Sequence, residues 1–195
     1  MKKKNLLSIC MLGALAFSQQ ADAQKREAPE KQGKGVLFSV AVSGPVATGN
    51  FNDTHKWGIG GSIQTDIPLT QKLSAIVDAG FTNFFGKKVK KNNLYQSVAD
   101  AQFIPVKTGL KYFVAGPLYV QGDAGVSFVL NRDKLGYDRS AAFVYSPQVG
   151  IRLPFNSKSS LDLGVLYERT SEFKKNSKSS KANYYGLKVA YPFSF

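Results

Sequence analysis

Over most of its length the chain repeats with a period of two. Across residues 73–85, Leu73, Ala75, Val77, Ala79, Phe81 and Phe85 fall on one face, and Ser74, Asp78, Gly80 and Thr82 on the other. Side chains of an extended strand alternate between faces, whereas a helix repeats every 3.6 residues, so the pattern points to strands. Seven further segments alternate in the same way. Val36, Phe38, Val40 and Val42 oppose Leu37, Ser39, Ala41 and Ser43 in the first of them. Trp57, Ile59, Ile63 and Ile67 oppose Gly58, Gly60, Ser62, Gln64 and Asp66. Near residues 103–113, Ile104, Val106, Leu110 and Tyr112 oppose Lys107, Gly109 and Lys111. Leu118, Val120, Ala124, Val126 and Phe128 oppose Tyr119, Gln121, Asp123, Gly125 and Ser127. Phe143, Tyr145, Val149 and Ile151 oppose Ser146, Gln148, Gly150 and Arg152; Leu161, Leu163, Val165 and Tyr167 oppose Asp162, Gly164 and Glu168. The last segment carries Tyr185, Leu187, Val189, Tyr191, Phe193 and Phe195 on one face and Gly186 and Lys188 on the other.

The connections alternate too. Short turns fall near 68–72, 114–117 and 154–159, and long polar loops near 44–56, 86–100, 131–141 and 170–182. Up-and-down strands with tight turns at one end and long loops at the other are the pattern of an outer-membrane barrel, whose tilted strands need about 9–11 residues to cross the hydrocarbon. A β-sandwich and a soluble lipocalin-like barrel binding a hydrophobic ligand share the alternation, because period two does not say which face is inside. The polar face discriminates. It consists of Gly, Ser, Thr and single charges, without the rows of Lys and Glu of a solvated sheet, and small residues suit the crowded interior of a narrow barrel. Aromatic residues lie toward strand ends (Trp57, Phe85, Tyr112, Phe143, Tyr167, Tyr185, Phe193, Phe195), as an interfacial girdle requires. The expected fold is an all-β, eight-stranded antiparallel up-and-down transmembrane β-barrel with its apolar face outward. Pro105 and Pro147 fall inside expected strands, where each removes a ladder donor, so bulges or strand ends are expected there. Pro192 departs from a simple strand ending and leaves the register of the final turn open.

The first residues indicate export. Lys2, Lys3 and Lys4 precede an apolar run, and Ala21-Asp22-Ala23 supplies the small-x-small cleavage pattern, so residues 1–23 read as a Sec signal peptide. The run is about a dozen residues, short of the roughly 20 that a spanning helix needs. Residues 24–34 read as a short polar periplasmic leader, and 35–195 as the barrel domain. Cys10, the only cysteine, lies in the signal, which leaves no disulfide framework or thiolate chemistry.

The stretches "GPVATGNFND", "DIPLTQKLSAIVDAGFTNFFGKK", "IPVKTGLKYFVAGPLYVQGDAGVSF" and the terminal aromatic resemble the small outer-membrane barrels of the OmpA/OmpX-like superfamily, in its stand-alone form. The resemblance spans nearly the whole mature chain and mostly reports architecture. It implies residence in the outer membrane, in contact with its lipids and lipopolysaccharide, as a monomer. It also implies handling by periplasmic chaperones and the barrel assembly machinery. In that family the final strand carries the assembly signal, to which Gly186, Val189, Tyr191, Phe193 and Phe195 correspond here.

Eight strands enclose only enough room for side chains. The inferred inward set holds Asp66, Asp78, Asp123, Asp162 and Glu168 with Lys107, Lys111, Arg152 and Lys188, which is near neutrality. Mutual pairing would satisfy charges that are costly when buried alone, so a sealed polar plug is expected in preference to an ion path. Without residues 1–23 the formal charge is +11, and two loops hold +7 of it. One carries Lys87, Lys88, Lys90 and Lys91; the other carries Lys174, Lys175, Lys178 and Lys181 against Glu172. With both termini periplasmic these loops face outward, where the phosphates of lipopolysaccharide would attract them. The basic runs lack a nucleic-acid reader fold, so no nucleic-acid partner is expected. Catalysis is not expected either: the one histidine, His55 in "FNDTHKWG", reads as a solvated loop residue beside Asp53 and Thr54, with Ser62 nearby. One histidine and no mature cysteine do not make a metal site, and Asp53 lies in no EF-hand loop, so no cofactor is expected. The expected function is a non-enzymatic envelope or surface-contact barrel. The competing possibilities are a transport or secretion accessory and the soluble hydrophobe-binding barrel.

Overall fold

A computed structural model describes residues 35–91, 94–155, 159–174 and 180–194, with the backbone alone for 89–91 and 94–96. The signal and leader segments, Lys175, Lys178 and Phe195 lie outside the described residues. The strands are β1 (Leu37–Ala47), β2 (His55–Pro68), β3 (Leu73–Gly86), β4 (Lys88–Lys91), β5 (Leu94–Ser97), β6 (Ala101–Ala115), β7 (Leu118–Val129), β8 (Ala141–Pro154), β9 (Ser160–Thr170) and β10 (Asn183–Phe193). Eight of them close a barrel in the order β1-β10-β9-β8-β7-β6-β3-β2, and β4 and β5 form a separate hairpin. Closure runs from Phe38 opposite Phe193 to Ala47 opposite Tyr184, so β1 and β10 leave no open edge between them.

The short turns are built locally. Gly116, at φ 49°, supplies the left-handed turn residue between β6 and β7. Between β2 and β3 the Thr70 hydroxyl accepts hydrogen bonds from the amides of Lys72 and Leu73, at 3.2 and 3.0 Å. At the opposite end the loops differ from expectation. Most of the segment 44–56 has regular structure: β1 continues through Pro45 to Ala47, β2 begins at His55, and Gly49–Asp53 forms a 3-10 turn. Gly44 and Pro45 resemble a turn signal, but the ladder to β10 runs unbroken past both. The loop 86–100 contains the β4–β5 hairpin. In the third loop one helical turn, Arg132–Leu135, ends at left-handed Gly136.

Pro105 and Pro147 do not sit at bulges. Both keep register with β7, opposite Ser127 and Gly122. On their other sides the β3–β6 and β8–β9 ladders skip two residues and resume without a shift. Register shifts occur elsewhere, between His55 and Gly58 and between Phe113 and Ala115. Pro192, opposite Ser39, precedes the last residue of β10 and keeps register with β1.

Packing inverts the polarity of a water-soluble protein. Ile63 and Leu187 are 65% and 66% exposed, whereas Asp66 and Lys111 are 0% and 1% exposed. In the girdle Trp57, Tyr112, Phe143 and Tyr185 are exposed, and Phe85, Tyr167 and Phe193 are half-buried. The faces follow from strand parity, since every inward position lies two residues from another.

Candidate functional site: a charged lumen beneath an aromatic stopper

The structure brings all nine ionisable residues of the inferred inward set into the lumen, each less than a tenth exposed. They form two tiers. Nearer the short turns, Arg152 of β8 donates from Nε and Nη2 to the two oxygens of Asp162 of β9, at 2.7 and 2.8 Å, and from Nη2 to Asp66 of β2 at 2.7 Å. The Lys111 ammonium of β6 bridges the same carboxylates, 2.9 Å from Asp66 and 3.2 Å from Asp162, and Gln64 donates to Asp66 at 2.6 Å. Two acids and two bases thus share one desolvated cluster, with two-point guanidinium contact. Aromatic rings close it from below: Lys111 lies 4.7 Å from the Tyr119 ring and Arg152 5.3 Å from that of Phe113.

In the second tier Lys107 of β6 reaches across to Glu168 of β9 at 2.5 Å, and the Tyr184 hydroxyl donates to the other Glu168 oxygen at 2.5 Å. Lys188 of β10 donates to Asp78 of β3 at 3.1 Å and to the Gln64 side-chain oxygen at 3.0 Å, which links the tiers. Ser62 adds a hydrogen bond to Asp78 at 3.1 Å. Asp123 stands apart: it accepts from Gln121 at 2.8 Å, and among the described residues it has no cation within ion-pair distance. Most of these contacts join strands that are not neighbours in the sheet, so they tie opposite walls together. Glycines make the room. A Cβ at Gly109 would lie 2.0 Å from the Gly122 carbonyl oxygen and 2.6 Å from Asp123; one at Gly150 would lie 2.5 Å from the Tyr119 ring.

Above the second tier a cavity of about 40 Å³, lined by Ser62, Asp78, Lys107, Glu168, Tyr184 and Lys188 among others, has room for a water or two. Over it sits an apolar stopper that the strand pattern did not announce. Phe51, Phe84, Phe103, Phe173 and Tyr184 are buried together with Ala47, Ala101, Val129, Ala142, Leu166 and Ala182. Ring centroids are 5.0 Å apart for Phe51–Phe84 and Phe84–Tyr184, and 5.5 Å for Phe103–Phe173. Tyr137, from the third loop, stacks on Phe173 at 5.4 Å. Burial pushes the Tyr137 phenol up to about 12. Phe84 and Phe103 share parity with Asp78 and Lys107, so their inward direction was present in the sequence; Phe51 and Phe173 lie in loops, where no period applies.

His55 is not solvated. It is 1% exposed, stacked on Phe51 at 4.7 Å, with Nε2 3.1 Å from the Ala99 carbonyl and Nδ1 2.9 Å from the Thr54 hydroxyl. A carbonyl only accepts, so Nε2 carries the proton and Nδ1 is free to accept from Thr54. Both ring nitrogens serve to pin the first two loops, which leaves the imidazole no substrate-facing atom. Among the described residues no group of three or more His, Cys, Asp or Glu is placed to hold a metal ion.

Some of the loop lysines also act as staples. Lys87 donates to the Asn52 side-chain oxygen at 3.0 Å and to the Asn52 carbonyl, and Lys181 pairs with Glu172 at 3.3 Å. Lys88 and Lys174 are exposed, and Lys90 and Lys91 lie in β4. Of the final-strand set, Gly186 pairs with Pro45 of β1, Val189 and Tyr191 are exposed on the outer wall, and Phe193 closes the ladder to β1.

No protein-family model matches the chain, and no curated protein does. Solved structures match over most of it. The outer membrane protein OprG from Pseudomonas aeruginosa superposes with a TM-score of 0.56 at 12% identity, covering 82% of this chain and 95% of that one. Neisserial surface protein A gives 0.55 at 15% identity, covering 82% and 97%. The Yersinia pestis outer membrane protein Ail, in a phospholipid bilayer nanodisc, gives 0.52 at 13% identity, covering 82% and 100%. At these identities the similarity is one of fold: the chain is an all-β, eight-stranded antiparallel closed barrel like theirs.

Proposed function

We propose that this chain is an integral outer-membrane barrel without enzymatic activity, which contributes a sealed, charge-braced cylinder and a basic loop surface to the cell envelope. One observation carries the reading: the apolar wall faces out around the whole barrel while nine ionisable side chains fill the inside. In water that arrangement would expose a far larger apolar patch than soluble monomers tolerate; in a bilayer it satisfies every requirement of a spanning sheet. The fold shared with three outer-membrane proteins supports it. A soluble carrier of hydrophobic ligands would need a pocket of several hundred Å³, against a cavity of about 40 Å³ lined in part by charged side chains.

The two tiers and the stopper seal the lumen in series, which argues for structural and surface roles over conduction. The lysines of the second and fourth loops would meet lipopolysaccharide phosphates, and β10 would present the assembly signal. The test has two arms. Purified protein should migrate differently on a gel with and without heating and fractionate with the outer membrane; a monomer soluble in plain buffer would overturn the membrane reading. In planar bilayers it should give no large, stable channels, and their appearance would overturn the sealed lumen.

A further inference from the structure

The geometry points to a binding site for a phosphate group of outer-leaflet lipopolysaccharide on the outer wall of the barrel, centred on Arg169. This inference rests on the membrane reading above. Outward strand positions are apolar, aromatic or uncharged polar throughout the described barrel except for two cations, Arg169 and, in the bulge before Trp57, Lys56. Arg169 lies at the loop-bearing end of β9, directly opposite Tyr145 of β8 and Asn183 of β10. The paired rings of Tyr167 and Tyr185, 5.0 Å apart, sit immediately below it. It is half-buried among these neighbours.

Its charge has no internal use. Among the described residues no carboxylate lies within ion-pair distance of it: Glu168 points inward to Lys107 and Tyr184, and Glu172 is held by Lys181. The height of the residue explains how a bare guanidinium is tolerated there. From Phe193 to the Asn183 row β10 rises about 33 Å along the strand, or about 25 Å along the axis at ordinary barrel tilt, which is the height of an apolar band. Arg169 therefore sits at the outer edge of the hydrocarbon, where the penalty for a lipid-facing arginine is far smaller than at the midplane. Tyrosines belong at this level for the same reason, with their rings in the acyl region and hydroxyls among headgroups. Of the chemistry present at that level, phosphate fits best: a planar guanidinium binds it through two parallel hydrogen bonds, and the cross-strand neighbours Tyr145 and Asn183 bring no competing charge.

The experiment refolds wild type, Arg169→Gln and Arg169→Lys in detergent with diphosphoryl lipid A, or with the same glycolipid stripped of phosphate. Glycolipid retained per barrel after chromatography is then counted by native mass spectrometry. Wild type should retain diphosphoryl lipid A, Arg169→Gln about tenfold less, and Arg169→Lys an intermediate amount, since a lysine supplies charge without the fork. Equal retention by wild type and Arg169→Gln, or equal retention of the dephosphorylated glycolipid, would overturn the site. Heat-modifiable mobility is scored on the same samples. Folded barrels without a difference in retention would sink the Arg169 site alone, whereas a wild type that never shows the mobility shift would sink the membrane reading and this site with it.

Discussion

Replacing Asp66 by asparagine should be the most damaging isosteric change in the lumen. Asp66 is fully buried and accepts hydrogen bonds from Lys111, Arg152 and Gln64. Asparagine keeps the shape but leaves two buried cations sharing Asp162, and breaking a buried ion pair from one side typically destabilises by about 3–5 kcal/mol. Asp123→Asn supplies the internal control. Its carboxylate has no ion-pair partner among the described residues and accepts one hydrogen bond, from Gln121, so its loss should amount to about 1 kcal/mol. With a urea dependence of about 2 kcal/mol per molar, the two midpoints should differ by roughly 1–2 M. Trp57, the only tryptophan, is on the exposed outer wall and reports unfolding by its emission, with heat-modifiable mobility as the second probe. Adding Lys111→Met to Asp66→Asn should restore part of the loss, because it removes one of the stranded cations. Coincident midpoints for the two single variants, at unchanged slope, would refute the argument: the lower tier would then be hydrated and mechanically idle.

Three other outcomes follow from the same geometry. Gly109→Ala drives a methyl into the Gly122 carbonyl and Asp123, so the folded fraction on refolding should fall, by about 1–3 kcal/mol of overpacking or more; wild-type yield would contradict the close approach of β6 and β7. Phe51→Ala and Phe173→Ala each empty a ring-sized space in the stopper, which should leave the barrel folded but expose the loops to added protease, a change read by mass spectrometry of the fragments. Tyr137 should titrate late, near pH 12 instead of near 10, when followed by phenolate absorbance. Its phenol is raised in the folded state, so docking of the third loop is undiminished below about pH 10 and weakens between there and 12; an ordinary midpoint near 10 would mean that the Tyr137–Phe173 stack does not form.

Strand parity carried most of the fold. Once the apolar side was assigned outward, the same period placed the nine ionisable residues of the inferred inward set inside, and spacing alone put Lys107 and Lys111 on one wall. What parity does not contain is height. Nothing in the spacing says that Lys111 meets Asp66 and Asp162 while Lys107 meets Glu168, because those pairings depend on the stagger of strands that do not touch. Loop residues escape it as well. Phe51 and Phe173 look like isolated aromatics in polar segments, and His55 like a solvated residue, until the barrel mouth gives them a common place to be buried. The prolines misled for a related reason: a rule about ladder donors expects bulges at Pro105 and Pro147, but a closed barrel can leave a few rungs unpaired without shifting register.

That tolerance has an energetic basis. Slipping one strand by one residue exchanges its faces. If the outer wall meets lipid, as proposed, a slip of β6 would turn Lys107 and Lys111 into the hydrocarbon and Val106 and Leu110 into the lumen. Each lysine near the midplane is disfavoured by about 2–4 kcal/mol, and the carboxylates left behind lose their partners at about 3–5 kcal/mol. The slipped state thus lies on the order of 10 kcal/mol above the native one, comparable to the whole stability of a domain. A missing ladder hydrogen bond at a proline, worth about 1 kcal/mol, cannot compete with that. The charged lumen therefore does more than fill the cylinder. On the membrane reading its polarity against lipid sets the register of the strands, and the barrel keeps one alignment through unpaired rungs, two bulges and a final strand that ends on Pro192 and Phe193.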